Sequence, residues 1–106
     1  MRKILLGMAL CCAIAWSQTS TGSIRGTITD STNAAVPNAK VTATDVDRGV
    51  DYPTQTDASG RYILPTLPPA QYTLAVEAPG FEKATQPAFR LEVQQQATVD
   101  ISLTVG

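Results

Sequence analysis

The sequence predicts an all-β sandwich of about seven strands, and three observations carry that prediction. Apolar and polar residues alternate at a period of two along most of the chain, and no long window repeats its apolar residues at helical spacing. Gly, Pro and Asn punctuate these runs at short, regular intervals. Fourteen threonines follow residue 17, a residue type that suits a half-buried pleated surface better than a helix.

The first run, Ser23 to Asp30, sets Ile24, Gly26 and Ile28 on one face and Arg25, Thr27 and Thr29 on the other. The second, Ala39 to Asp45, opposes Ala39, Val41 and Ala43 to Lys40, Thr42 and Thr44. Each therefore has one dry and one wet face. Between them Asn33, Pro37 and Asn38 are turn formers, with Ala35 and Val36 placed to tuck under the loop. Further strands are predicted over 50–56, 61–64, 71–77, 87–93 and 97–104. Their inward residues are Tyr62, Leu64, Tyr72, Leu74, Val76, Phe89, Leu91, Val93, Val99, Ile101 and Leu103. In TDASGRY, Asp57 accepts hydrogen bonds from the amides ahead of it and Gly60 takes positive φ, the pattern of a short hairpin loop. Asp47-Arg48-Gly49 follows the same scheme. Ala78-Pro79-Gly80-Phe81 puts Pro and Gly at the two central positions of a type II turn. Pro65, Pro68 and Pro69 break the ladder between Leu64 and Tyr72, so that stretch crosses over between strands.

The start of the chain reads as a secretory leader. Arg2 and Lys3 precede an uncharged apolar run, Ile4 to Trp16, and a polar stretch follows. A spanning helix needs about 20 apolar residues, so this run is too short to be one. Ala15 and Ser17 are the small residues a signal peptidase accepts, which places the cut between Ser17 and Gln18. Leu10 before Cys11 does not suit a lipoprotein site. The predicted organisation is a signal peptide over 1–17, a short polar linker over 18–22 and one β-sandwich domain over 23–106. Both cysteines, Cys11 and Cys12, leave with the leader, so the exported fold stands on its core without disulfides. What remains carries six basic against nine acidic residues, a formal net of −3.

These counts bound the function. The sequence has no histidine, which excludes Ser-His and Cys-His nucleophiles and imidazole metal ligands. No paired-carboxylate or nucleophile signature appears, so the chain reads as non-enzymatic, with no catalytic residues and no cofactor. Mild acidity without a basic patch argues against nucleic acid. Nothing in the mature chain spans a membrane.

The succession GSIRGTITD, PNAKVTATD and TDASGRYILPTLPPAQYTLAVEAPGF, from Gly22 to Leu103, resembles the carboxypeptidase regulatory-like domain. The resemblance implies a transthyretin-like fold, also classed as carbohydrate-binding-like: a seven-stranded antiparallel Greek-key sandwich. It also implies a setting, since such modules occur at the periplasmic N-terminus of TonB-dependent outer-membrane receptors, as extensions of metallocarboxypeptidases, and in surface proteins. The family name does not imply a peptidase here, because zinc ligation in those enzymes uses histidines on a separate catalytic domain. Ala70 departs from the family, which usually has Gly after Pro-Pro; if that position needs positive φ, Ala70 is strained or the turn differs.

The functional expectation is thus an exported structural or interaction module. It is the periplasmic extension, or a fragment, of a TonB-dependent receptor, with the rest of that chain or another protein as partner. The alternative is a carbohydrate-binding module of a secreted or surface protein. Candidate residues are few. Asp45, Asp47 and Asp51, with Asp57 nearby, offer oxygens to calcium, but the glycine falls one place early for an EF-hand loop, and a solvated hairpin tip explains them as well. Lys40, Glu77 and Asp100 form the trio of a lysine cross-link only if buried together, and all three fall on outward phases. For sugar stacking, Tyr62 and Tyr72 sit in the core phase and Phe81 staples a turn, which leaves Tyr52 and, second to it because its phase is inward, Phe89. Leu67, Pro68, Pro69, Pro79, Phe81 and Tyr52 form a candidate interaction surface at one end of the sandwich, unless the leucines plug that end. Open edge strands are a further route for a partner strand.

Overall fold

The structure is a computed structural model that describes residues 20–106. The leader, with Ser17, Gln18 and both cysteines, lies outside the described residues. Eight strands follow in order, with no helix among the described residues: β1 (Gly22–Thr29), β2 (Lys40–Asp45), β3 (Val50–Gln55), β4 (Arg61–Leu67), β5 (Ala70–Glu77), β6 (Ala84–Leu91), β7 (Gln96–Thr98) and β8 (Ile101–Ser102). One sheet orders β3-β2-β5-β6, all antiparallel. In the other, β1 is central, with β4 antiparallel on one side and β7 and β8 parallel on the other.

The core lies between the sheets and follows the predicted alternation. Ile24 and Ile28 of β1 meet Val41 and Ala43 of β2, Tyr62, Leu64 and Leu67 of β4, and Tyr72, Leu74 and Val76 of β5, all buried. Val36 tucks under the first loop as expected, while Ala35 stays exposed. Two polar side chains are buried with this core, Asp45 and Thr56. Thr56 is satisfied on both sides: its hydroxyl donates to the Val36 carbonyl at 2.7 Å and accepts from the Ala39 amide at 2.8 Å.

The turn glycines and asparagines take the backbone read from their residues, but between β2 and β3 it is Asp45, not Asp47, whose carboxylate accepts the amides ahead of it. Gly49, Gly60 and Gly80 have φ of 70°, 75° and 84°, and Asn33 and Asn38 are left-handed as well. The Phe81 amide donates to the Ala78 carbonyl at 3.1 Å, closing the turn between β5 and β6. Ala70 is not left-handed: it opens β5, paired with Leu91, so the missing glycine costs no strain there.

Several expectations need correction. The predicted last strand splits into β7 and β8, giving eight strands rather than seven, and its pairing with β1 is parallel, so the sandwich is not wholly antiparallel. β1 begins at Gly22, inside the expected linker, and Gly22 is buried. The Asp57 turn is not a hairpin: β3 and β4 belong to different sheets, and the turn carries the chain across. Pro65 does not end its strand. β4 runs on to Leu67 through a bulge, with Gly22 opposite Leu67 but Ile24 opposite Leu64, and an edge strand tolerates the missing N–H there. β6 starts at Ala84, and Pro87 sits in a second bulge, between the pairs Leu74–Gln86 and Tyr72–Phe89. Val93 lies past the end of β6 in a turn and is 49% exposed, not in the core.

Candidate functional site

Two of the four acidic candidates, Asp45 and Asp57, hold turns, while Asp51 bonds across the β2–β3 pair and Asp47 stands exposed. Asp45 Oδ1 accepts from the Asp47 and Arg48 amides at 3.0 and 3.1 Å, and Oδ2 pairs with Arg48 Nη1 at 2.9 Å. Burial raises the pKa of this carboxyl, but the amides and the guanidinium outweigh it and hold it below the usual carboxylate range. Asp51 accepts from the Thr44 hydroxyl at 2.8 Å. Asp57, on the crossover, takes the Ser59 and Arg61 amides at 2.8 and 3.0 Å, and those bonds lower its pKa. The four carboxylates do not converge, and no three metal-ligating side chains group together among the described residues.

The cross-link trio is likewise not assembled. Lys40 and Glu77 are register partners on one sheet, both exposed, and Glu77 pairs with Lys83 at 3.7 Å. Asp100 lies between β7 and β8, beside the other sheet, where its Oδ1 accepts from the Thr27 amide at 2.8 Å.

The apolar candidates fall at two ends, not one. Pro68 and Pro69 precede β5 and Pro79 and Phe81 follow it, so its 8 residues separate them by about 26 Å at ~3.3 Å per residue. Leu67 is 1% exposed and plugs the core, so it is no part of a surface. At its end of the sheet Tyr72 donates to the Pro68 carbonyl at 2.6 Å, which fixes the Pro-Pro crossover. Tyr52 packs edge-on against Tyr72 with ring centroids 6.1 Å apart, and it is half-buried, like Phe89. At the other end Phe81 is half-buried and bridges to Val105, while Pro79 is exposed.

A concavity of about 440 Å³ is one that residue types alone did not suggest. It lies across β4, β1 and β7, walled by Arg25, Thr27, Arg61, Ile63, Thr98 and Asp100, with Gly26 and Tyr62 beneath. The alternation does point each of these walls outward. What it hides is that β1, the first strand, is the central one. Arg25 donates to Gln96 Oε1 at 2.9 Å, and Tyr62 donates to the Val99 carbonyl at 2.6 Å. Burial, and then the Asp100 charge, push the Tyr62 phenol well above its ordinary range. It is therefore a fixed donor at neutral pH rather than a base. Arg25, Tyr62 and Asp100 thus tie strands to one another across this concavity.

Comparison with known proteins adds an independent line. The profile of the carboxypeptidase regulatory-like domain matches residues 23–104. The TonB-dependent transporter Oar of Myxococcus xanthus is 33% identical over 90 residues, which are 84% of this chain and 8% of the transporter. The chain thus spans under a tenth of that relative. Among solved structures, the Bacillus anthracis TIE protein aligns with a TM-score of 0.68 at 13% identity, over 81% of this chain and 17% of that one. A proposed carbohydrate binding protein of Bacteroides uniformis gives 0.62 at 19% identity, over 77% and 40%. Catechol 1,2-dioxygenase of Acinetobacter radioresistens gives 0.64 at 15%, over 84% and 53%. At these identities the likeness to the three structures is one of fold alone.

Proposed function

The chain belongs to the carboxypeptidase regulatory-like domain family, and from that premise we propose that it is an exported, non-catalytic structural or interaction module. Its setting is the periplasmic N-terminal extension, or a fragment, of a TonB-dependent outer-membrane receptor. The observation that carries this reading is the 33% identity to a TonB-dependent transporter over 84% of the chain. The geometry agrees in kind, because every polar side chain the sequence nominated for chemistry is engaged in holding a turn or a strand, or stands exposed. Residues 1–17 act as the leader and 22–106 as the working domain.

The test is fractionation of the native cell with an antibody to residues 20–106. An envelope product that is far larger than 11.2 kDa, or a smaller one whose first residue is Gln18, supports the reading. A product of unprocessed mass in the cytoplasm overturns it.

Sugar binding is the second reading, favoured by the fold shared with the Bacteroides uniformis protein. It depends on Tyr52 and Phe89, both half-buried, with Tyr52 already engaged by Tyr72. A melting shift on adding soluble glycans, lost in Tyr52→Ala, is its signature.

A further inference from the structure

The strands that open and close the module, β1 and the β7/β8 pair, lie side by side and run in the same direction. The chain enters where Gly22 pairs with Leu67 and leaves the sheet at the opposite end, where Ser102 pairs with Thr29. β1 has 8 residues, which puts these points about 26 Å apart at ~3.3 Å per residue. A pull on the chain from its two sides therefore drags β1 and β8 past each other along their axes. In that direction every hydrogen bond of the seam resists at once, whereas a pull from one end opens the same bonds in succession. The geometry points to a further function: the module is a shear clamp that keeps the chain folded under tension.

The seam is stitched along its whole length. Ser23 N–H donates to the Gln95 carbonyl at 2.9 Å, Val99 N–H to the Arg25 carbonyl at 2.8 Å, and Leu103 N–H to the Thr29 carbonyl at 2.7 Å. The weak point is its middle, where β7 has ended and β8 has not begun. There the Asp100 carboxylate takes the place of a backbone acceptor and receives the Thr27 N–H at 2.8 Å. Tyr62, reaching from β4, holds the Val99 carbonyl at 2.6 Å. Gly26 admits that carbonyl, since a Cβ there would lie 1.8 Å from the Val99 oxygen. A strand that merely frayed between Thr98 and Ile101 would have no use for these contacts. Beyond the seam, the last residues peel first: the Gly106 amide from the Gly80 carbonyl, then the Thr104 carbonyl from the Glu82 amide. The clamp does not rest on the receptor reading, because the direction of loading is set by the strands and not by what they are attached to.

Single-molecule pulling on the full 106-residue chain, with Cys11→Ser and Cys12→Ser, tests it in two geometries. One attaches handles at the two chain ends. The other attaches them at Ala34→Cys, in the exposed loop after β1, and at the C-terminal end, so that β8 is peeled from β1. The expected rupture force is about twofold or more higher between the ends, because forced unfolding follows the unfolding barrier along the loaded direction. Equal forces, or a lower force between the ends, overturn the clamp. Asp100→Ala lowers the end-to-end force and leaves the peeling force unchanged, while Asp100→Asn, which keeps an acceptor oxygen, stays near the parent. Full force in Asp100→Ala overturns the seam as the resisting element. Should Asp100→Ala fail to fold, the two-geometry comparison on the parent decides alone.

Discussion

Thr56 shows how much of this fold hangs on single polar atoms. It is 4% exposed, and its hydroxyl is at once the acceptor for Ala39 and the donor for Val36. Thr56→Val keeps the shape and strands both backbone groups, so it should cost about 1–3 kcal/mol, the penalty of leaving buried polar groups unmade. Thr56→Ser keeps the oxygen and should retain most of the stability. Urea unfolding of the two variants measures the difference, and equal midpoints would refute the role. The sequence placed Thr56 at the end of a strand without revealing this, because the partners lie 17 and 20 residues away. Gly26 is a second such residue. It was legible as an inward position, but the need for glycine comes from the Val99 carbonyl, which no spacing displays. Gly26→Ala should destabilise by about 1–3 kcal/mol or more, as overpacking does.

At the scale of elements, the prolines have a shared logic. Pro53, Pro65 and Pro87 lie on β3, β4 and β6, three of the outer strands of the two sheets, and all three are exposed. Each removes a donor from an edge, and two of them sit in bulges. These three edges are thus poor templates for an added strand, which weakens the expectation that a partner joins at them. Replacing the three with Thr should restore the donors and promote association. Light scattering across a concentration series reads this, and a triple variant as monodisperse as the parent would remove the prolines from that role. The same residues explain what was legible. The turn glycines and the alternation of β1, β2 and β5 follow from local φ preference and burial, so the sequence displayed them. Pro65 read as a break, and Pro87 as the start of a strand rather than its interior, because tolerance for a missing N–H depends on having no neighbour on that side, a property of strand order. Val93 was misassigned because the alternation of Phe89 and Leu91 continues past the left-handed Gln94 turn only on paper.

For the whole molecule, the absence of histidine leaves carboxyls and phenols to set the pH dependence of stability. Asp30 is held below its ordinary 3.8 by the Thr32 hydroxyl and then the Ala34 and Thr32 amides, Asp57 by the Arg61 and Ser59 amides. In Asp45 burial pushes upward, yet the Arg48 and Asp47 hydrogen bonds still bring it below. On acidification the unfolded chain protonates these groups first, so their contribution is complete above about 3.8 and drains away as pH falls through the lower folded values. The phenols work in the opposite sense. Burial pushes Tyr72 up to about 12 from 10.0, with Tyr52 and Asp45 adding to it, and Tyr62 is raised by burial and by Asp100. Here the unfolded chain releases its protons first, so stability is complete below about 10 and is lost as pH climbs beyond it. Thermal melts should therefore show a plateau from about pH 5 to pH 9 with a fall on each side. A sloping transition near pH 6.5 would mean that some group outside these five titrates on unfolding. Tyr62→Phe should soften the alkaline fall, since it removes the proton whose release the fold resists. It should also lower the plateau, by about 0.5–1.5 kcal/mol for the lost bond to Val99. The two effects separate the phenol's charge from its hydrogen bond: a variant that lowers the plateau but keeps the full alkaline slope would place that slope on Tyr72 instead.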